Sequence, residues 1–179
     1  MKQTIRLATL TTLLLASAFP VITALADGDD LTSEADKAVK SFERADSGLA
    51  DLFHRSAGFA IFPTVGKGGF IFGAEHGNGV VYEKGKPVGE ATLTEINVGA
   101  QAGGQTFYEV IFFETSDALA SFKESKFEMS AKVSAVIAAE GASVNAKYRE
   151  GVMVFTLPKT GLMAQATVGG QKFQYKPLK

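Results

Sequence analysis

The sequence of 179 residues contains no cysteine and no tryptophan, and it contains only two histidines. Without cysteine the protein can form neither a disulfide nor a thiolate zinc site, so packing must supply its stability. His54 and His76 lie far apart, and neither has the spacing of a metal site around it. A G-x-S-x-G motif is also lacking, which leaves no serine marked as a nucleophile. The sequence therefore gives no basis for a metal, a cofactor or enzymatic activity.

An excess of charge of one sign is lacking as well. The chain has 18 Lys and Arg against 19 Asp and Glu, a formal net charge of -1. A nucleic-acid-binding domain is normally clearly basic. The composition therefore argues against nucleic acid as a partner.

The first 26 residues are typical of a secretory signal peptide. Lys2 and Arg6 form a positive start, residues 7–19 are mostly apolar, and Ala24-Leu-Ala26 is a small-residue cleavage site. The alternative is a membrane anchor, but a spanning helix needs about 20 apolar residues and threonines interrupt this shorter run. We expect cleavage after Ala26 and export to the periplasm or the medium. Because cysteine is absent, the exported protein is not expected to be a lipoprotein.

A polar stretch, residues 27–33, is expected to be flexible. Apolar residues then recur at spacings of three and four, which predicts an amphipathic helix over residues 33–54, broken or bent at Gly48. Such a stripe usually faces a core, whereas a helix in a membrane surface needs a basic polar face. Residues 34–55 carry four basic and five acidic side chains, which favours the core.

Glycine is concentrated between Gly58 and Gly104, where 12 of the 19 glycines lie. Aromatic and β-branched residues between glycines predict short strands joined by tight turns. The candidate strands are 58–62, 69–74, 80–84 and 88–93, with turns at 77–79 and 84–87. An alternating segment at 94–103 and a strand that is apolar on both faces at 105–114 follow.

Residues 127–140 fit two structures. Their alanines favour a helix, whereas strict alternation favours a long strand, and we predict the strand. A short helix ending at Lys123 precedes this segment, and strands at 152–157, 162–168 and 172–176 follow it. The predicted fold is α+β: a strongly curved antiparallel β-sheet with an N-terminal amphipathic helix packed on it and a short second helix. The sequence does not decide whether this sheet closes into a barrel.

The chain resembles the SYLF domain family in an ordered set of motifs. The opening signature corresponds to Gly58-Phe-Ala-Ile-Phe-Pro-Thr-Val-Gly-Lys-Gly-Gly-Phe-Ile-Phe-Gly and to Gly77-Asn-Gly-Val-Val. The later blocks correspond to Val98-Gly-Ala-Gln-Ala-Gly-Gly-Gln, Tyr108-Glu-Val-Ile-Phe-Phe and Lys159-Thr-Gly-Leu-Met-Ala. The resemblance implies one lipid-binding domain, residues 34–179. Eukaryotic members bind phosphoinositides and other anionic lipids, and bacterial members are exported single-domain proteins.

This resemblance predicts a non-enzymatic protein of the bacterial cell envelope that binds anionic phospholipid or a lipid-like ligand at a membrane surface. The candidate lipid contacts are lysines in or beside predicted turns: Lys67, Lys84, Lys86, Lys159 and Lys172. The alternative is a structural or interaction protein of the envelope that docks a protein partner through its sheet.

Two further features carry candidate residues. Glu95, Asn97 and Gln101 share a polar face, which lines a groove or lumen if the sheet curls and meets water if it does not. Gly66-Lys67-Gly68-Gly69 lacks the order of a P-loop, since a strand and not a helix follows it. It is either an ordinary hairpin turn or a turn that presents Lys67 to an anionic headgroup.

Overall fold

The computed structural model describes residues 28–68, 72–98, 105–125, 127–130, 133–160 and 170–178. These residues form four helices and one seven-stranded sheet. The helices are α1 (Gly28–Ala45), α2 (Gly48–Arg55), α3 (Ser116–Lys123) and α4 (Ala142–Asn145). The strands are β1 (Gly58–Gly68), β2 (Phe72–Glu83), β3 (Lys86–Val98), β4 (Gln105–Phe113), β5 (Ala135–Ile137), β6 (Val152–Thr160) and β7 (Lys172–Pro177).

The strand order across the sheet is β5-β6-β4-β1-β2-β3-β7. Neighbouring strands are antiparallel except β5 and β6, which are parallel. The sheet is strongly curled, but it remains open, with β5 and β7 at its edges. The predicted α+β class is therefore confirmed, while the sheet is mixed and does not close into a barrel.

Each face of the sheet carries its own hydrophobic core. On one face, which we call the α1 face, α1 and α2 contribute Ala35, Phe42 and Leu52 against strand residues such as Phe112. On the other, the α3 face, Leu119 and Phe122 of α3 pack with residues such as Ile111, Phe113 and Phe173. Strand β4 contributes to both cores, since alternate residues point to opposite faces. Its prediction as a central strand that is apolar on both sides is confirmed.

The predicted N-terminal helix is present and breaks before Gly48, as expected. It begins at Gly28, so residues 28–33, which we expected to be flexible, form its first turns. The break lies at the buried residue Asp46, whose carboxylate accepts hydrogen bonds from the backbone N–H of Gly48 (3.0 Å) and of Ser143 (2.6 Å). These bonds tie the start of α2 to α4.

The predicted turn at Gly77–Gly79 is wrong, because β2 runs straight through it. A Cβ atom at Gly79 would lie 2.5 Å from the carbonyl oxygen of Ile61 and 2.6 Å from the ring of Phe62. Glycine is needed there for the close approach of β1 and not for a turn. The predicted hairpin at Lys84–Pro87 is confirmed: Lys84 (φ 52°) and Gly85 (φ 74°) both have the positive φ that a two-residue type I′ turn requires.

The long strand predicted for residues 127–140 is also wrong. Among the residues of this segment that the structure describes, Ala135–Ile137 form the one strand, and Glu128 makes a single bridge to Lys172. Met129 is held in an irregular segment, where its N–H donates to the carbonyl of Gln171 (2.9 Å). Met129 and Val133 are buried in the α3-face core, although neither belongs to a paired strand. The strand predicted at 162–168 lies outside the described residues.

Candidate functional site

The structure places the five predicted lysines at different ends of the sheet. Lys84 and Lys86 are exposed at the β2–β3 hairpin, whereas Lys159 lies near the opposite end of the strands, at the end of β6. Lys172 begins β7, where its ammonium lies 3.8 Å from the carboxylate of Glu128. Lys67 is a residue of β1 whose side chain lies outside the described part of the protein. Their role as lipid contacts stays a prediction.

Glu95, predicted to line a groove, is buried on the α3 face, with 3% of its surface exposed. It lies directly opposite Glu75 of β2, which is also buried. The side-chain amide of Gln171 donates to Oε2 of Glu109 (3.2 Å) and of Glu75 (3.5 Å). The inner surface of the curled sheet therefore carries a cluster of carboxyl groups beside its apolar core, which we call the inner carboxyl cluster (Glu75, Glu95, Glu109 and Gln171).

The structure does not describe the side chains of Asn97 and Gln101, the other two residues of the predicted polar face. Asn97 belongs to β3, but its side chain is outside the described part of the protein, and Gln101 is outside it altogether. The sequence did not single out Gln171. A signal existed for Glu109, because it occupies an inward position of β4 between Phe107 and Ile111.

Replacing Gln171 with leucine should lower the free energy of unfolding by about 2 kcal/mol. The change removes the amide that donates to two buried carboxyl groups, and a buried polar group without its donor is costly. Chemical denaturation measures the effect. The control is Gln174→Leu, the same substitution at an exposed position of β7, which should stay within about 0.5 kcal/mol of the parent. Equal stability of the two variants would show that the amide does not support the cluster.

A groove lies on the α1 face between the first turns of α1 and strands β1, β2, β4 and β6. We call it the α1 groove. It consists of a cavity of about 480 Å³ and a smaller one of about 120 Å³, which share Glu34 and Pro63. The larger cavity is lined by Leu31, Glu34, Pro63, Thr64, Gly66, His76, Gly77 and Asn78. The smaller cavity is lined by Glu34, Lys37, Pro63, Tyr108 and Lys159.

Lys159 is exposed, yet it is fixed by three contacts in this groove. Its ammonium donates to the carbonyl oxygen of Pro63 (3.2 Å) and to the hydroxyl of Thr64 (2.9 Å). It also lies 4.6 Å from the centre of the Tyr108 ring, within the range of a cation–π interaction. An exposed lysine side chain usually samples several rotamers, whereas these contacts hold the Lys159 ammonium in one position.

The β1 bulge creates the acceptor for Lys159. The register of β1 shifts between Ile61 and Thr64 against β2, and between Phe62 and Val65 against β4. Pro63 lies within the shift, where a residue that lacks an N–H removes no ladder hydrogen bond. The bulge leaves the carbonyl of Pro63 available to the lysine.

The position of α1 is fixed by packing and by one hydrogen bond. Ala35 and Ala38 are fully buried and allow the helix to lie close to the sheet. The hydroxyl of Tyr82 donates to the carboxylate of Asp36 (2.8 Å). Burial, and secondly this bond and the charge of Asp36, raise the pKa of Tyr82, so its hydroxyl stays protonated. These contacts place Glu34 and Lys37 at the mouth of the groove.

Another open cavity of about 480 Å³ lies near α4 and is lined by Arg55, Glu114, Ala146, Lys147, Tyr148 and Met153. Val144 of α4 is 80% exposed.

Within the described residues, no group of three or more His, Cys, Asp or Glu side chains could hold a metal ion. No helix in that part of the chain combines the length and apolar character needed to cross a membrane.

Residues 94–176 match the model of the Ysc84 family, described as Las17-binding protein actin regulator. The chain is also similar to Beta cell expansion factor A of Aeromonas veronii, with 26% identity over 125 residues. That alignment covers 68% of this chain and 47% of the relative, so the chain matches about half of the relative's length.

Proposed function

We propose that this protein is a non-enzymatic lipid-binding protein, since residues 94–176 match the model of the Ysc84 family, the SYLF family that the motifs resemble. Its ligand is an anionic phospholipid or a lipid-like molecule, and it acts at a membrane surface without spanning it. The observation that carries the proposal is the α1 groove, where Lys159 is held in place and Lys37 lines the same cavity. Fixed positive charge in a concave site suits a phosphate-bearing headgroup.

The proposed location is the cell envelope, after export and removal of residues 1–26. The charge pattern and cleavage motif of that segment support export. In that compartment the protein meets the surface of a phospholipid membrane directly.

Co-sedimentation with vesicles tests the lipid-binding proposal. The purified protein should pellet with phosphatidylcholine vesicles that contain phosphatidylglycerol, and much less with phosphatidylcholine alone. Raising the salt concentration should weaken binding, because charges at a membrane surface are screened. If no lipid-dependent pelleting occurs even at low salt, the protein is not an anionic-lipid binder.

A second candidate function is docking of a protein partner through the sheet. The description of the matching family, Las17-binding protein actin regulator, favours it, since it names a protein partner. Edge strands such as β7 can accept an additional strand. Crosslinking in cells would support this candidate if one protein dominates the products while the purified protein ignores vesicles.

A further inference from the structure

We infer that the α1 groove binds one phospholipid molecule, with the phosphoryl oxygens between Lys37 and Lys159 and part of an acyl chain in the larger cavity. The inference rests on the proposed function and narrows it to one site and one kind of ligand. The ligand is a phosphodiester monoanion whose headgroup carries hydroxyl groups, as phosphatidylglycerol does.

The smaller cavity is the cationic end of the site. An ammonium group has three N–H donors, and Lys159 uses two of them on Pro63 and Thr64, which leaves one for a ligand oxygen. Because these contacts exist before a ligand arrives, binding requires little further ordering of the side chain. Lys37 lines the same cavity of about 120 Å³, so two positive charges can meet a single phosphoryl group.

The larger cavity is the end that receives an acyl chain. Its volume of about 480 Å³ lies within the range of roughly 300–1,000 Å³ found for small-molecule sites. Leu31 and Pro63 give it apolar walls, and Gly66 and Gly77 contribute bare backbone.

Gly66 is a glycine that the fold itself does not require. Its φ lies outside the positive range, and a Cβ atom built there would meet nothing within 4 Å. Gly77 differs, since its Cβ would lie 3.0 Å from the carbonyl oxygen of Thr64 and from a methyl group of Val65. A side chain at Gly66 would project into the larger cavity, so glycine there keeps the cavity open.

Glu34 lies where the two cavities join, and its carboxylate sets the headgroup preference. A carboxylate repels a second phosphate group but accepts hydrogen bonds from hydroxyl groups. The groove therefore favours a single phosphodiester with a glycerol-like headgroup. The same headgroup chemistry occurs in soluble glycerophosphoglycerol, which lacks acyl chains and serves as the comparison ligand.

Two double variants of equal charge test the location of the site. Lys37→Gln with Lys159→Gln removes two positive charges from the groove, and Lys147→Gln with Lys176→Gln removes two from exposed positions outside it. We expect the groove pair to weaken binding to phosphatidylglycerol vesicles by about tenfold and the control pair, Lys147 and Lys176, by less than about twofold. Equal losses would mean diffuse attraction by the whole surface and would overturn the inference while leaving lipid binding intact.

Gly66→Leu tests whether the larger cavity takes an acyl chain. The variant keeps every charge, and open space at this position lets it fold, which a thermal unfolding curve close to the parent's checks. We expect vesicle binding to fall about tenfold, while glycerophosphoglycerol still shifts the amide NMR signals of Thr64 and Lys159. Unchanged vesicle binding would show that only a headgroup is recognised, which overturns the single-lipid inference. Failure of the parent protein to bind vesicles would instead remove the proposed function and the inference with it.

Discussion

Replacing Phe112 with alanine should lower the free energy of unfolding by about 4 kcal/mol, within the usual range for a buried phenylalanine. Phe112 is fully buried at the centre of the α1-face core. Its ring centre lies 4.9 Å from that of Phe53 on α2 and 6.1 Å from those of Phe59 on β1 and Phe155 on β6. The substitution would leave a cavity among rings from three different elements, and a rigid sheet cannot collapse to fill it.

Urea denaturation followed by circular dichroism measures this loss. Val144→Ala is the control, because it truncates an apolar side chain that is 80% exposed and should change stability by less than about 0.5 kcal/mol. Phe112→Leu should have a smaller effect than alanine, which keeps the measurement possible if the alanine variant is only partly folded. A loss below about 1 kcal/mol for Phe112→Ala would contradict the packing of α2 against the sheet.

Replacing Asp46 with alanine should cost about 3 kcal/mol at neutral pH. The buried carboxylate accepts hydrogen bonds from Gly48 and Ser143, and its loss leaves both N–H groups without a charged acceptor. Burial by itself would raise the pKa of Asp46, but hydrogen bonds from Ser143, Gly48 and Gly141 outweigh it and hold the pKa below the ordinary value of 3.8. The charged form is therefore the one that the fold stabilises.

The direction of the pKa shift sets the pH dependence of this effect. A carboxyl group with a lowered pKa in the folded protein stabilises it above the unfolded-state pKa, and that contribution is lost as the pH falls through the folded-state pKa. The stability difference between the parent and Asp46→Ala should thus be full above about pH 5 and should shrink as the pH falls below 3.8. Asp51→Ala, at an exposed position of α2, is the control and should show little effect at any pH. A difference that stays constant on acidification would contradict the role of the charge.

Elements with strong local signals could be predicted from the sequence. The stripe of apolar residues gave the N-terminal helix, and the two-sided apolar run gave β4. Gly77–Gly79 could not be interpreted correctly, because glycine serves tight turns and close strand approach equally well. The prediction for residues 127–140 was wrong for a related reason: apolar residues at alternate positions do not require a paired strand, and Met129 and Val133 are buried from irregular backbone.

The candidate site was predictable only in part. The sequence predicts Lys159 as a candidate because it lies beside a predicted turn, but the residues that contact Lys159 could not be predicted. Pro63 and Thr64 are 96 and 95 positions away, and only the pairing of β1, β4 and β6 brings them close. Lys37 lies within the predicted N-terminal helix, but its place in a groove depends on how α1 lies against the sheet. Sites that form between distant segments leave no local sequence signal.

The presence of Phe173 in the α3-face core has a consequence for when the protein can fold. Its ring contacts those of Phe62, Phe122 and Phe127, although it belongs to β7, the last strand in sequence order. That core stays incomplete until β7 is available, and the pairing of β7 with β3 joins segments about 80 residues apart. While β7 is held back during synthesis or transport, the α3-face core lacks the Phe173 ring and stays exposed, and its completion should be slow because the pairing that closes it is long-range.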